Sequence, residues 1–333
     1  MRLIKTEDAV GHVLCHDMTQ IIKDQYKDAR FRKGHVVTEE DIPVLLSMGK
    51  EHLYVWEMTP GMVHENDAAE RLLALCGQEN MIRSGVKEGK IELKAACDGV
   101  FLVDSARLVA VNSQDEVMIA TRKGGMAVRE GDKLAGMRVI PLIIEEEKLR
   151  KAEQAAGDKP LLSLKPYVRK TACIVATGGE VKKGLIKDTF TPVVIDKLKT
   201  YGIETLEVVY SGDGVENVRD AVLTMREKKP DMILCTGGMS VDPDDNTPGG
   251  IKAAGANIIA YGAPVLPGAM FLLGYFDDGM PVMGLPGCVM YAGATVFDLV
   301  LPKVAADVPV TRADIAAMGE GGLCLGCKPC RYP

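Results

Sequence analysis

Short apolar segments alternate with amphipathic ones throughout the second half of the chain, and this order limits the fold more than any other feature. The candidate strands are TACIVAT (171–177), ETLEVVY (204–210), DMILCT (231–236), NIIAYG (257–262) and PVMGL (281–285). The candidate helices are 189–201, 215–228, 247–254 and 289–301. Strands covered on both faces are apolar throughout, so the pattern predicts an α/β fold: a three-layer α/β/α domain with a mostly parallel sheet. Ligands of such sheets bind at the carboxyl ends of the strands.

The first half has a different texture, and it predicts a smaller β-rich α+β region. A strand at 13–22, a polar connection at 23–33, a helix and a strand at 52–57 precede a series of short β-like runs separated by turn residues. These runs are KIELKAA, GVFLV, RLVAV, EVMIATR and GMRVIPLII. The charged stretch 145–160 favours a connecting helix, although a solvated linker fits it nearly as well. The predicted boundaries are an α+β segment at 1–66, a β-rich insert at 67–144, a connector at 145–165, the α/β domain at 166–309 and a tail at 310–333.

Composition and charge exclude several classes of protein. Apolar residues make up 47% of the chain and charged residues 26%, which is close to the globular average. Forty basic residues face 46 acidic ones with no basic half or stripe, so we expect no nucleic-acid partner. The sequence has no apolar run long enough for a membrane span and no signal-peptide pattern at its start. We therefore expect no membrane interaction and a cytoplasmic location, which six singly scattered cysteines also fit.

Three small glycine-containing loops follow apolar strands. They are Thr177-Gly178-Gly179-Glu180, Thr236-Gly237-Gly238-Met239-Ser240 and Leu285-Pro286-Gly287. Paired glycines let backbone amides approach an anion, and a neighbouring hydroxyl adds a donor. Any one of these loops could be an ordinary strand-to-helix turn. Three of them in one α/β domain favour a phosphate or carboxylate cradle.

Acidic residues follow the second loop, where Asp242, Asp244 and Asp245 lie within four positions. Three negative charges beside a bound phosphate repel it unless a cation intervenes, so the pattern predicts Mg²⁺ shared between carboxylate and ligand oxygens. The alternative is that Asp245 and Thr247 cap the following helix. Asp213, in the turn SGDG, offers another acid at the same predicted edge, or serves only as a turn residue.

These residues resemble the molybdopterin-binding domain family, which includes molybdopterin molybdotransferases, molybdopterin adenylyltransferases and gephyrin. The similar segments are TGGEV, SGDG, DMILCTGGMSVDPDDNTP, the LPG of PVLPGAM, and GLPG, within 171–303. The N-terminal segments EDAVGHVLCHDM and FRKGHVVTEEDIPVLLSMGKEHLYVWE also resemble parts of the molybdotransferases. In place of the acid usual in the first loop, this chain has Gly179.

The resemblance implies roles for individual residues. It implies that the pterin phosphate binds at the second loop, that Asp213, Asp245 and Glu180 are catalytic, and that Asp245 and Asp213 hold Mg²⁺. The cofactor-binding residues that it implies are Thr177, Gly178, Thr236, Gly237, Gly238, Met239, Ser240, Thr247, Pro267, Gly268, Pro286 and Gly287. The implied ligands are molybdopterin or molybdopterin-AMP, with molybdate as a second substrate. A homo-oligomer and an interaction with a molybdoenzyme are further expectations.

The last ten residues contain three closely spaced cysteines, Cys324, Cys327 and Cys330. Two consecutive C-x₂-C spacings let neighbouring thiolates converge on one metal, either Zn²⁺ or an Fe-S cluster. Three ligands need a fourth from elsewhere. A tail of unligated thiols is the alternative, because terminal segments are commonly disordered.

The sequence therefore predicts a protein of molybdenum cofactor biosynthesis that binds molybdopterin, or its adenylylated form, and assists molybdate insertion as a molybdotransferase-like enzyme. Two other functions stay open. One is a non-catalytic molybdopterin carrier or sensor, and the other is a nucleotide pyrophosphatase of the competence-damage-protein type.

Overall fold

A computed structural model describes residues 2–22, 26–55, 60–242 and 245–326. The chain forms two compact units, and each is described by itself. Unit 1 comprises residues 1–97, 101–124 and 128–164, and unit 2 comprises 98–100, 125–127 and 165–333. Within the described ranges, no helix combines the length and the apolar character needed to cross a membrane.

In the described residues up to 166, short strands alternate with helices. In order, they are β1 (Arg2–Lys5), β2 (Met18–Ile22), β3 (Tyr26–Phe31), α1 (Asp41–Ser47), β4 (His52–Val55), β5 (Met62–His64), α2 (Glu65–Leu75), β6 (Met81–Arg83), β7 (Ile91–Ala95), β8 (Gly99–Val103), α3 (Ser105–Asn112), β9 (Val117–Thr121), β10 (Met126–Val128), β11 (Lys133–Val139), β12 (Ile143–Glu145), α4 (Glu146–Ala156) and β13 (Leu162–Pro166).

Unit 1 contains a four-stranded antiparallel sheet in the order β6-β7-β11-β9. Helices α2 and α4 pack their apolar residues into the same core as this sheet, and Leu72, Leu149 and Met137 are buried there. The unit also contains the antiparallel pairs β1–β4, β2–β3 and β5–β12. The expected β-rich α+β region is therefore present.

Three local predictions for this half need comment. The run RLVAV lies in helix α3 and was wrongly predicted as a strand, because the Asp104 carboxylate accepts a hydrogen bond from the Arg107 amide and starts a helix there. The polar connection predicted at 23–33 contains β3. The charged stretch after residue 145 does form a helix, α4, which ends at Gly157 with a φ of 64°.

Unit 2 is built on a six-stranded sheet. Its elements are β14 (Thr171–Thr177), α5 (Gly179–Lys182), α6 (Phe190–Thr200), β15 (Glu204–Ser211), α7 (Val215–Glu227), β16 (Met232–Thr236), α8 (Thr247–Ala253), β17 (Asn257–Tyr261), β18 (Leu272–Tyr275), β19 (Pro281–Leu285), α9 (Val296–Ala305) and α10 (Arg312–Ala317).

The strand order in this sheet is β15-β14-β16-β19-β18-β17. The first four strands are mutually parallel, whereas β18 is antiparallel to both of its neighbours. The sequence pattern did not predict β18. Because β17 is antiparallel to β18, its carboxyl end lies at the same edge as those of β14, β16 and β19.

Successive residues of β14 face opposite sides of the sheet and enter two different cores. Ala172 and Ile174 pack with residues of α6 and α9, whereas Cys173 and Val175 pack with residues of α7 and α8. The mostly parallel, three-layer α/β/α prediction is confirmed.

The last long helix differs from its prediction. A 3-10 turn occupies 287–290, and α9 begins only at Val296, where Thr295 and Asp298 form a capping box. The helix continues past Pro302 to Ala305. A proline in the last turn removes one helix hydrogen bond without ending the helix immediately, so the predicted end at Pro302 was wrong.

Candidate functional site

The three glycine-containing loops lie at one edge of the unit 2 sheet. Strands β14, β16 and β19 are adjacent and parallel, and they end at Thr177, Thr236 and Leu285. Each loop starts directly after its strand, so the strand pairing brings together three segments that lie far apart in the sequence. This edge is the place where ligands of parallel sheets bind.

The second loop has a backbone that only glycine suits. Gly237 and Gly238 have φ angles of 82° and 57°. A Cβ added at Gly237 would lie 2.4 Å from the main-chain oxygen of Thr177, and one at Gly238 would lie 2.7 Å from Oγ1 of Thr247. The two glycines are therefore required both by conformation and by close packing.

Threonine hydroxyls hold this loop in place. Oγ1 of Thr177 donates to the carbonyl of Thr236 at 2.9 Å and lies 3.1 Å from Oγ1 of Thr247. Oγ1 of Thr247 donates to the carbonyl of Gly237 at 2.8 Å. Thr247 is only 1% exposed and Thr177 is half-buried, so their hydroxyls support the loop from behind, while the buried Thr236 contributes its carbonyl. We call Thr177, Thr236 and Thr247 the threonine staple.

The same loop leaves amides available. Among the described residues, no backbone or side-chain acceptor takes up the amide hydrogens of Gly238 or Ser240. The Met239 side chain is buried in the core, where a Cβ at Gly284 would come within 2.5 Å of its sulfur. Because Met239 anchors the loop inward, the predicted binding role of this residue rests on its backbone alone.

A cleft of about 490 Å³ opens beside the second loop. Its lining residues are Gly237, Gly238, Met239, Ser240, Asp245, Ala269, Met270, Pro286, Gly287, Cys288, Met290 and Tyr291. The structure thus brings the second and third loops together with Asp245 around one cavity.

Asp245 is the acid that lines this cleft. Its Oδ2 accepts from the amide of Asp242 at 3.3 Å, and its own amide donates to the carbonyl of Asp242 at 2.9 Å, so the carboxylate is held by a tight turn. Asp244 lies outside the described residues. No group of three or more His, Cys, Asp or Glu side chains suited to a metal occurs in the described part of the chain. A single carboxylate still suits Mg²⁺ when ligand phosphates supply further oxygens.

The first loop differs from the second in its surroundings. The Gly179 amide donates to both oxygens of Asp213, at 3.2 and 3.1 Å, which ties this carboxylate to the loop backbone. Glu180 is exposed. Thr177, Gly178, Glu180 and Asp213 are not among the residues that line the cleft. The catalytic roles of Glu180 and Asp213 therefore stay predictions.

Pro267 and Gly268 support the cleft without lining it. A Cβ at Gly268, whose φ is 130°, would lie 2.9 Å from the amide of Val296 at the start of α9. The lining residues on this loop are the next two, Ala269 and Met270.

Sequence reasoning missed several residues at this edge. Tyr261, at the end of β17, donates through its hydroxyl to the carbonyl of Met239 at 3.0 Å. Cys288, Met290 and Tyr291 follow the third loop and line the cleft. Burial raises the pKa of the Cys288 thiol, so it is not an activated thiolate. The GLPG motif could have located these three residues, since they follow it directly.

Another cavity, of about 680 Å³, lies within unit 1. Acidic and basic side chains line it together, and Glu92 there contacts both Lys90 and Lys133. Because these charges neutralise each other locally, the cavity has no clear preference for an anion or a cation.

The cysteine tail is described only in part. Cys324 is exposed and lies in a 3-10 turn, whereas Cys327 and Cys330 lie outside the described residues. The Gly322 carbonyl accepts from the amide of Leu266, so the start of the tail is attached to the loop after β17.

Comparisons with known protein families agree with this geometry. Residues 173–306 match the sequence-family model described as "Probable molybdopterin binding domain". Residues 3–57 match a model described as a domain of unknown function. The resemblance predicted from the glycine loops is confirmed for the unit that contains them.

Similar proteins share only part of the chain. A CinA-like protein of Mycobacterium tuberculosis is 33% identical over 76 residues, which is 23% of this chain and 18% of that protein. A CinA-like protein of Petrotoga mobilis is 32% identical over 76 residues, or 23% of this chain and 19% of that protein. The match thus spans about a fifth of the length of these curated relatives.

Solved structures include similar chains. The molybdopterin biosynthesis Mog protein of Mycobacterium ulcerans is 20% identical and covers 42% of this chain and 97% of its own, with a TM-score of 0.35. The protein CinA of Thermoplasma acidophilum is 18% identical and covers 41% of this chain and 98% of its own, also with a TM-score of 0.35.

Proposed function

We propose, from the premise that residues 173–306 form a domain of the molybdopterin-binding family, that this chain acts in molybdenum cofactor biosynthesis. Its cleft binds molybdopterin or molybdopterin-AMP. The observation that carries the proposal is the second loop, whose closely packed glycines line one cleft with Asp245 and whose Gly238 and Ser240 amides have no acceptor among the described residues. Amides arranged in this way stabilise phosphate without a basic side chain.

The chemistry of this chain's own residues follows from the loop. The amides of Gly238 and Ser240 hold the phosphate or pyrophosphate, and the Ser240 hydroxyl, which is exposed, adds a donor. The threonine staple keeps the amides fixed, so the loop does not reorganise when charge develops on the phosphate. Asp245 orients the ligand's polar groups, and bound Mg²⁺ would neutralise phosphate charge beside it.

A transferase role in molybdate insertion is the leading form of this proposal. Glu180 and Asp213 belong to it as catalytic residues only if ligand binding brings them to the phosphate. A non-catalytic carrier or sensor is the second form, and it is supported by the cleft lining, where Asp245 is the one acidic side chain among the residues that the structure describes.

The short similarity to CinA-like proteins favours one further candidate, a nucleotide pyrophosphatase. A 490 Å³ cleft with an amide cradle suits a nucleotide phosphate as well as a pterin phosphate.

One anaerobic experiment separates these functions. The full chain is incubated with molybdopterin or molybdopterin-AMP, with molybdate and Mg²⁺, and bound ligand and products are identified by mass spectrometry. Binding with molybdate-dependent product formation supports the transferase, and binding without product supports the carrier. The pyrophosphatase is supported by release of a nucleoside monophosphate from ADP-ribose. If neither pterin ligand binds, the molybdopterin proposal is wrong.

A separate proposal concerns the cysteine tail. The molybdoenzyme partner and the homo-oligomeric state are also proposals. Cys324, Cys327 and Cys330 bind Zn²⁺ or an Fe-S cluster with a fourth ligand from outside the tail. Elemental analysis of anaerobically purified full-length protein tests this. Near-stoichiometric Zn or Fe that disappears in the Cys324→Ser variant supports the site, and its absence in the wild-type protein contradicts it.

A further inference from the structure

Tyr291 is a large aromatic side chain left in the open at the mouth of the cleft. It follows the 3-10 turn 287–290, and its amide donates to the carbonyl of Cys288 at 3.2 Å. The residue is 78% exposed and also lines the cleft. Among the described residues, neither its ring nor its hydroxyl has a partner. The backbone is thus held in a turn, while the side chain has no hydrogen bond or ring contact with the part of the chain that the structure describes.

The surroundings of Tyr291 leave room for a flat group. A Cβ added at Gly287 would meet nothing within 4 Å, so the space above the third loop is open. Met290, next to Tyr291, is 39% exposed and lines the same cleft. The Met290 sulfur accepts from the Thr189 hydroxyl at 3.1 Å, so this part of the cleft presents the Tyr291 ring and the Met290 side chain beside open space.

The two sides of the cleft differ in chemistry. The second loop offers amides and the Asp245 carboxylate, whereas the rest of the lining consists of Ala269, Met270, Pro286, Gly287, Cys288, Met290 and Tyr291. Apolar and thioether side chains give a sugar's hydroxyls few hydrogen-bond partners, but they suit the face of a planar ring. Stacking on an aromatic side chain is also tolerant of ring identity.

We propose that Tyr291 is the platform on which the heterocycle of the ligand stacks, and that the cleft selects phosphate esters carrying a planar aromatic ring over ring-free phosphates. This assignment rests on the proposed function of the cleft. Tyr291 is thus a specificity residue outside the glycine loops. The ligand has a phosphate that binds the second loop and a flat ring that stacks on Tyr291. Pterin and adenine rings share this chemistry.

Titration calorimetry on the full chain tests the platform with four probes: molybdopterin, AMP, ribose 5-phosphate and inorganic pyrophosphate. We expect Tyr291→Ala to weaken binding of the ring-bearing ligand by roughly 5- to 150-fold, as stacking energies imply. Binding of ribose 5-phosphate and pyrophosphate should change less than twofold, and Tyr291→Phe should bind like the wild type.

The matched control is Tyr54→Ala, which removes an exposed tyrosine from β4 of unit 1 and should leave all four affinities unchanged. Equal weakening of ring-bearing and ring-free ligands by Tyr291→Ala, or no weakening at all, overturns the assignment. Tyr291-dependent binding of AMP without binding of molybdopterin would refute the molybdopterin function and keep the platform. If molybdopterin binds equally well to the wild type and to Tyr291→Ala, the molybdopterin function is supported and the platform role of Tyr291 is refuted.

Discussion

The first and second loops of unit 2 both follow parallel strands with a Thr-Gly-Gly sequence, yet their glycines meet different neighbours. At Gly237, the space for a side chain is occupied by a main-chain oxygen of Thr177. At Gly179, it is occupied by a carboxylate oxygen of Asp213, 2.6 Å away. The main chain of Thr177 cannot move aside to make room for a side chain, whereas the Asp213 side chain can rotate away. The second loop is therefore a rigid cradle, and the first is held by one acid.

The largest expected difference comes from adding a methyl group to each loop. Gly237→Ala forces an L-residue to a φ of 82° and into contact with main chain, so we expect the free energy of unfolding to fall by about 2–4 kcal/mol. Phosphate-ligand affinity should fall at least about tenfold. Gly179→Ala should lower the free energy of unfolding by less than about 1 kcal/mol. Urea unfolding and calorimetry measure both effects.

Gly293→Ala is the control for this pair, because a Cβ there would meet nothing within 4 Å. Equal destabilisation of the two loop variants would contradict the distinction between a rigid loop and a compliant one.

The two acids give the next test. Asp245→Asn removes the charge that lines the cleft, and we expect the fold to be retained while any turnover falls by about 100-fold. Asp213→Asn weakens the bonds from the Gly179 amide, and we expect a loss of about 1 kcal/mol in unfolding free energy with ligand affinity within twofold.

Kinetic assays of both variants decide the role of Asp213. A turnover loss in Asp213→Asn that matches Asp245→Asn would establish the catalytic role predicted from the family. Unchanged turnover in Asp245→Asn would remove the role assigned to that residue.

The threonine staple predicts a smaller effect. Thr247→Val removes the hydroxyl that contacts Gly237 and Thr177, and it leaves the partly buried carbonyl of Gly237 with one bond fewer. We expect a loss of about 1–2 kcal/mol in unfolding free energy. Thr247→Ser keeps the hydroxyl and should recover most of this loss in the same denaturation experiment. A Val variant as stable as the wild type would show that the staple does not hold the loop.

The smallest effect concerns pH and the segment after the first loop. Burial acts to raise the pKa of Asp188, but hydrogen bonds from Thr191 and Phe190 together lower that pKa below its ordinary value. The stabilisation from this charged group is complete above the ordinary carboxyl pKa and is lost as pH falls through the lowered value. The free energy of unfolding falls between neutral and acid pH, and Asp188→Asn should make this fall smaller by about 0.5–1 kcal/mol, the size of a helix-cap contribution. An unchanged pH profile would exclude this contribution.

Much of unit 2 was predictable from local patterns. Continuous apolar runs such as TACIVAT located the parallel strands, and the Gly-Gly dipeptides marked the loops that follow two of them. Strand β18 was missed although it lies in the apolar run FLLGYF, the same kind of pattern that located the parallel strands. Helix α9 was misplaced because a 3-10 turn has the same apolar composition as a helix start.

The cleft was only partly predictable. Its second and third loops carry recognisable motifs, but Tyr261 and Met270 come from segments whose composition is ordinary for a loop. Of the acidic residues predicted for the site, one lines the cleft and another does not. Asp245 lines the cleft because it lies close to the second loop in sequence, whereas Asp213 comes from a different turn and contacts Gly179.

The sequence by itself determined where the apolar runs and the glycines lie and which family residues 173–306 resemble, because these are local features of the chain. The tertiary structure alone decided which loops line the cleft and which threonines fix them. The hydroxyls of Thr177 and Thr247 meet across 70 positions of sequence, and only the pairing of β14 with β16 brings them within 3.1 Å. Contacts of that range depend on strand order, which local patterns do not encode.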